Sequence, residues 1–160
     1  MADNSTDIQS LIAEIEDQER RLQFDRFSHA DAWAIGSRLV EVATERELGI
    51  TIDIRRGDQQ VFHAALAGTT ADNDDWVNRK VRTVRRFSES SWLVGRRFAA
   101  RDKDFNASTG LPLSDFAAHG GCFPVTIRDS GLVGTITVSG LAQADDHALV
   151  VEILSEFLKA

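Results

Sequence analysis

The six residues Ile50-Thr51-Ile52-Asp53-Ile54-Arg55 alternate apolar and polar without a break, and they constrain the fold more than any other stretch. A strand turns successive side chains to opposite faces, so this pattern predicts a strand with one buried face and one polar face. Gly57-Asp58 follows, residue types suited to a two-residue turn, and Gln59–Leu66 supplies the returning strand. An even loop places His63 on the face of Ile52, Ile54 and Val61, whereas an odd loop turns it over.

A second hairpin is predicted over Phe123–Arg128 and Leu132–Ser139, turned at Asp129-Ser130-Gly131. The other periodic segments read as helices: Asp7–Leu22 with a Thr6/Gln9 capping box, His29–Leu48 with Ser28 as N-cap and Gly49 as stop, Asp74–Ser88, and Ala144–Leu158. Residues 67–75 and 101–113 read as loops, Ser91–Ala99 as either strand or helix, and Ser114–His119 as one helical turn. Hairpins imply antiparallel pairing, so the class is α+β, a sheet covered by helices.

The chain has 160 residues, 42% of them hydrophobic and 27% charged, which suits one domain, residues 1–160, with 1–26 as an N-terminal helical extension of the same unit. The single cysteine rules out an internal disulfide. The polar, acidic start lacks the pattern of a signal peptide, and no apolar run is long enough for a membrane span, so a cytoplasmic protein without membrane partners is expected. A net charge of −7 disfavours general nucleic-acid binding. Half of the 18 basic residues nevertheless fall between Trp76 and Lys103, opposed only by Glu89 and Asp102. Such a run is either a solvated, ion-paired helix face or a recognition surface for carboxylate or phosphate.

The familiar catalytic signatures are missing: GxGxxG, GxxxxGK[ST], GxSxG and HExxH. The segment Phe116-Ala117-Ala118-His119-Gly120-Gly121-Cys122-Phe123-Pro124-Val125 carries the most chemistry. Two glycines let backbone approach a ligand, His119 is placed to ligate a metal or move a proton, and Cys122 could act as a thiolate if its pKa were lowered. The competing readings are a tight turn with a capping histidine and, favoured for Cys122, a buried small thiol. Ser139-Gly140 ends a strand just before a helix, a junction able to offer free N–H groups to an anion. Asp145 and Asp146 there suit the helix dipole, and His147 reads as a surface residue. His63 reads more simply as a hydrogen-bonded core histidine than as a ligand.

The glycine-pair turn with Pro124-Val125, the strand Gly134-Thr135-Ile136-Thr137-Val138-Ser139-Gly140, and then Gln143 with Asp145 or Asp146 resemble the GlcG/HbpS/PduO-C-like haem-degrading domain family. Thr51–Phe62 and Gly68–Trp76 resemble a branch of small single-domain proteins within it. The resemblance runs from about Phe27 to the C-terminus. Cys122-Phe123 adds one residue before Pro124 relative to the family's shorter GG-x-P turn, which puts a ligand site carried over from that turn in question.

The resemblance implies an antiparallel sheet with helices packed on both faces, homo-oligomers and, for some members, haem. Three functions follow as expectations. The first is binding of haem or another tetrapyrrole, with some iron-dependent degradation: His119 as axial ligand, Cys122 or His63 as substitutes, and Arg79, Lys80 or Arg82 on the propionates. The second is a non-catalytic oligomeric module for a small anion or a protein. The third is an enzyme on a small polar acid with His119 as base. The expected ligand-binding set is His119, Gly120, Gly121, Cys122, Ser139, Gly140, Arg79, Lys80, Arg82 and His63.

Overall fold

The computed structural model describes residues 2–160, with side chains from Thr6 onward. The elements are α1 (Ala2–Arg21), α2 (His29–Glu45), β1 (Thr51–Arg56), β2 (Gln59–Ala65), α3 (Ala71–Phe87), α4 (Ser91–Ala99), α5 (Phe105–Thr109), β3 (Cys122–Ile127), β4 (Gly131–Ser139) and α6 (Gln143–Leu158). The strands form one antiparallel sheet in the order β2-β1-β4-β3. The α+β expectation holds, with helices on both faces of the sheet.

One face is apolar. Ile52 pairs with Val138 and Ile54 with Ile136, and these side chains join Phe123 and Val125 against α2 and α6, where Ile35, Leu39, Val150, Ile153 and Leu154 complete the core. Each such side chain contributes roughly 1.5–3 kcal/mol by burial. The other face is polar. Thr51, Asp53, Thr135, Thr137 and Cys122 lie buried beneath α3, which covers them with Val77, Val81 and Val84. The face read as polar in Ile50–Arg55 is thus an interior surface, covered by α3.

The first hairpin has the even loop, yet His63 lies opposite Asp53 rather than on the Ile52 face. A bulge between Ile54 and Arg55 in the register leaves Val61 unpaired, and one extra residue reverses every side chain beyond it. At the other edge Phe24 bridges Ile127: its N–H donates to the Thr126 carbonyl at 2.8 Å and its carbonyl accepts from Arg128 N–H at 2.8 Å. The segment after α1 therefore covers β3, while β2 is an uncovered edge.

Several boundaries differ from expectation for local reasons. The first helix extends upstream to Ala2, so Thr6 is an interior residue and not a cap. The third helix starts at Ala71, because Thr70 caps it and Asn73 closes a capping box, four residues before the acidic turn ends. The ambiguous Ser91–Ala99 is helix α4, with Ser90 accepting from Leu93 N–H. Phe105–Thr109 within the expected loop is a short helix capped by Asp104. Residues 116–119 are not helical. They run irregularly because Ala117 N–H donates to the Arg79 carbonyl, Asn106 Nδ2 donates to the Phe116 carbonyl, and Gly95 lets α4 close directly onto the Ala118 carbonyl.

No helix among the described residues is long and apolar enough to cross a membrane.

Candidate functional site

A cleft of about 380 Å³ opens where the N-terminal ends of α3 and α6 approach the end of β4. Asp72, Asn73, Trp76 and Lys80 come from α3, Gln143 and Asp146 from α6, Ser139, Gly140 and Leu141 from the strand end, and His119 from the turn before β3. Its size falls within the range of small-molecule sites.

The glycines shape this cleft by letting backbone close up behind it. Gly121 has φ +134°, and a Cβ there would lie 2.3 Å from the Val138 carbonyl oxygen and 2.7 Å from Lys80 Nζ. Gly120 packs as closely on the Gln143 carbonyl, while its N–H donates to Gln143 Oε1 at 3.1 Å. Lys80 is buried, and its Nζ donates to Asp146 Oδ2 and to the Val138 carbonyl, each at 3.2 Å. Asp146 Oδ1 in turn accepts from Leu141 N–H at 2.9 Å. Burial raises the Asp146 carboxyl above the usual carboxylate range against the pull of Lys80. Asp146, in the first turn of α6, thus forms a buried ion pair and holds the chain just before the helix through Leu141 N–H.

His119 lies at the mouth of the cleft, stacked on Trp76 with ring centroids 5.2 Å apart and planes 22° from parallel. Partial burial, then the charges of Lys80, Arg96 and Arg79, hold its imidazole below the ordinary histidine range. Neither ring nitrogen has a hydrogen-bond partner among the described residues. The neutral form of the ring is thus favoured, with one nitrogen to donate and the other to accept or ligate.

The structure brings His119, Gly140, Ser139 and Lys80 together at the cleft, with Gly120 and Gly121 behind them. Four of the expected site residues lie elsewhere. Cys122 is completely buried under α3 and burial pushes its thiol up to about 12, so it is neither a thiolate ligand nor a nucleophile in this environment. His63 bridges the buried Asp53 (3.3 Å) and Asp74 (3.1 Å), part of a network in which Arg55 and Gln60 also donate to Asp53. Arg82 donates to the Asp115 carbonyl at 3.2 Å and is exposed. Arg79 lies 4.6 Å over the Trp76 ring and pairs with Asp75. With Lys80 already neutralised by Asp146, the three basic residues expected on propionates do not converge on one ligand.

The wider basic run is mostly structural. Arg97 pairs with Glu89 and Glu16, Arg96 lies over Trp92, and Arg85 donates to the Gly57 carbonyl. His147, read as a surface residue, is buried against Trp92 and Phe123, where its Nε2 meets Gln18 Oε1 at 2.7 Å.

Sequence reasoning missed Asp72, Asn73, Trp76 and Leu141 as cleft residues. The Thr70-Ala71-Asp72-Asn73 capping box was the available signal: had it been read, α3 would start early enough to bring Trp76 and Lys80 to the same end of the helix.

The fold is a four-stranded antiparallel α+β sheet with a polar cleft at two helix N-termini. The model of the family described as "Haem degrading protein HbpS-like" matches residues 27–155, and the chain belongs to this HbpS-like family. It is 55% identical over 147 residues to a UPF0303 protein of Streptomyces coelicolor, covering 92% of this chain and 93% of that one. It is 48% identical over 143 residues to a UPF0303 protein of Rhizobium meliloti, covering 89% and 87%. Among solved structures, the Ybr137w protein superposes with a TM-score of 0.85 at 29% identity, over 92% of this chain and 87% of that one. HbpS does so at 0.63 and 16%, over 84% and 91%, and a PduOC–haem complex at 0.67 and 14%, over 81% and 93%. The last two likenesses concern the fold.

Proposed function

We propose that the protein binds haem or another metal-bearing anionic tetrapyrrole at this cleft, with His119 as the axial ligand. The observation that carries the reading is the neutral, unbonded imidazole of His119 at the mouth of a cleft, held against the flat face of Trp76. A neutral imidazole is the form that ligates metal. Among the described residues no group of three or more His, Cys, Asp or Glu side chains is spaced to hold a metal ion, which fits a metal already held by a macrocycle better than a bare ion. Bound haem would supply a redox-active iron; this chain would supply one ligand, one aromatic wall and the exclusion of water from one edge.

Titration of the purified protein with haemin, followed by visible absorption, tests the reading. A saturable, shifted Soret band with defined stoichiometry is expected, and a featureless, non-saturating response would refute it.

The protein also reads as a homo-oligomer. Trp33 is 67% exposed and stacks edge-on against Phe62 beside the uncovered β2 edge, an arrangement that association would bury. Light scattering coupled to size-exclusion chromatography measures this, and a monomeric mass at working concentration would refute it.

A further inference from the structure

The hydrogen-bonding groups that face the cleft are biased towards donors. Gln143 uses Oε1 to accept from Gly120 N–H, which leaves its Nε2 to donate. Asn73 uses Oδ1 to accept from Thr70 N–H in the capping box, which leaves Nδ2 to donate. Lys80 spends two of its three donors on Val138 and Asp146. Ser139 is only 4% exposed and lines the cleft, yet its hydroxyl has no partner among the described residues. The 16-residue helix α6 begins here at N-cap Ala142 with no side-chain cap, so its first amides add further donors. The N-terminus of α3 opens onto the same cleft, and two positive helix ends therefore converge.

The acceptors are fewer, and those of Asp146 are occupied. Both oxygens of Asp146 are engaged, by Leu141 N–H and by Lys80, so the pair carries no net charge. Asp72 is exposed in the first turn of α3.

We infer that the floor of the cleft is a receptor for a carboxylate group, gripped by Ser139, Gln143 Nε2, Asn73 Nδ2 and the first turn of α6. Donor-rich surroundings with partial positive charge, next to a self-neutralised ion pair, suit one carboxylate. A phosphate dianion would concentrate twice the charge on one group beside the Asp72 carboxylate, with no free cation to offset it. The inference rests on the reading of the cleft as the ligand site and not on haem: the carboxylate belongs either to a small organic acid or to a tetrapyrrole side chain.

Calorimetric titration of the purified full chain with succinate, acetate and inorganic phosphate, at matched ionic strength, tests this. Saturable binding of succinate or acetate is expected, tighter than that of phosphate. Gln143→Glu keeps the acceptor for Gly120 but replaces the donor by a negative oxygen, and should weaken carboxylate binding by at least about tenfold; Ser139→Ala should weaken it by a smaller factor. Circular dichroism of both variants confirms that they fold, and if one fails the other decides. No saturable binding of succinate or acetate by the wild type, equal or tighter binding of phosphate, or unchanged affinity in the folded variants would overturn the inference, unless haemin binds and Gln143→Glu weakens that binding, which assigns the carboxylate to the tetrapyrrole side chain. His119→Ala separates the two readings, since it should abolish haemin ligation whether or not succinate binds.

Discussion

Lys80 Nζ and Asp146 Oδ2 lie 3.2 Å apart at the base of the cleft, with side chains 4% and 3% exposed, and join α3 to α6 across the end of the sheet. Removing one partner of such a pair strands a buried charge. Lys80→Met should therefore lower stability by about 3–5 kcal/mol. Lys80→Met combined with Asp146→Leu should lose less, because no charge remains to be desolvated. Urea denaturation at fixed protein concentration measures both. A double variant less stable than Lys80→Met would show that Asp146 stabilises the fold through Leu141 N–H more than its stranded charge costs.

The turn at Gly121 should tolerate no side chain. Gly121→Ala would place a Cβ against the Val138 carbonyl and Lys80 at φ +134°, whereas Gly57 has a positive φ of 59° with nothing within 4 Å. Gly57→Ala should cost about 1 kcal/mol of backbone strain and Gly121→Ala several times more. Equal losses in thermal denaturation would contradict the close-packing account of the cleft wall.

Two groups at the docking of α1, the partly buried Glu19 and the buried His147, titrate in opposition. Burial, opposed by the Ser90 N–H, raises Glu19 from 4.5 to about 7, and burial lowers His147 from 6.5 to about 4. Between pH 4.5 and 7 the folded state holds a proton on Glu19 that the unfolded chain releases, so this contribution is lost as pH rises. The unfolded chain binds a proton at His147 that the folded state refuses, so this contribution is lost as pH falls from 6.5 to 4. Relative to wild type, Glu19→Gln should gain stability as pH rises from 4.5 to 7, and His147→Asn as pH falls from 6.5 to 4, each by at most about 3 kcal/mol. Stability–pH profiles parallel to wild type would contradict both assignments.

His63 belongs to the Asp53 network and not to the cleft. His63→Ala should cost about 1 kcal/mol of stability from the lost contacts and leave haemin affinity unchanged. A loss of haemin affinity in a fully folded variant would return His63 to the ligand set.

The sheet was legible because Ile50–Arg55 and Gly134–Ser139 alternate so strictly that hairpins and one apolar face follow from pleat geometry alone. The face of His63 was not, because a single bulged residue overrides the parity of the loop and nothing in Gln59–Ala65 marks Val61 as the extra one. His119, Lys80, Ser139 and Gly140, singled out from the glycine turn, the basic run and the strand end, line one cleft. Arg79 and Arg82 were misassigned because composition cannot distinguish a cation facing a ligand from one stacked on Trp76 or tied to the Asp115 carbonyl. The capping box marks Asn73 and Trp76 as the start of α3, but their meeting with α6, more than fifty residues away, is tertiary packing that no local pattern records.

The central claim is that the His119 imidazole ligates the metal of a bound tetrapyrrole. Haemin titration of His119→Ala, without and with added free imidazole, tests it most directly. Loss of the imidazole-ligated Soret band in the variant is expected, with its recovery when imidazole occupies the vacated position. An unchanged spectrum and affinity in the folded variant would contradict it.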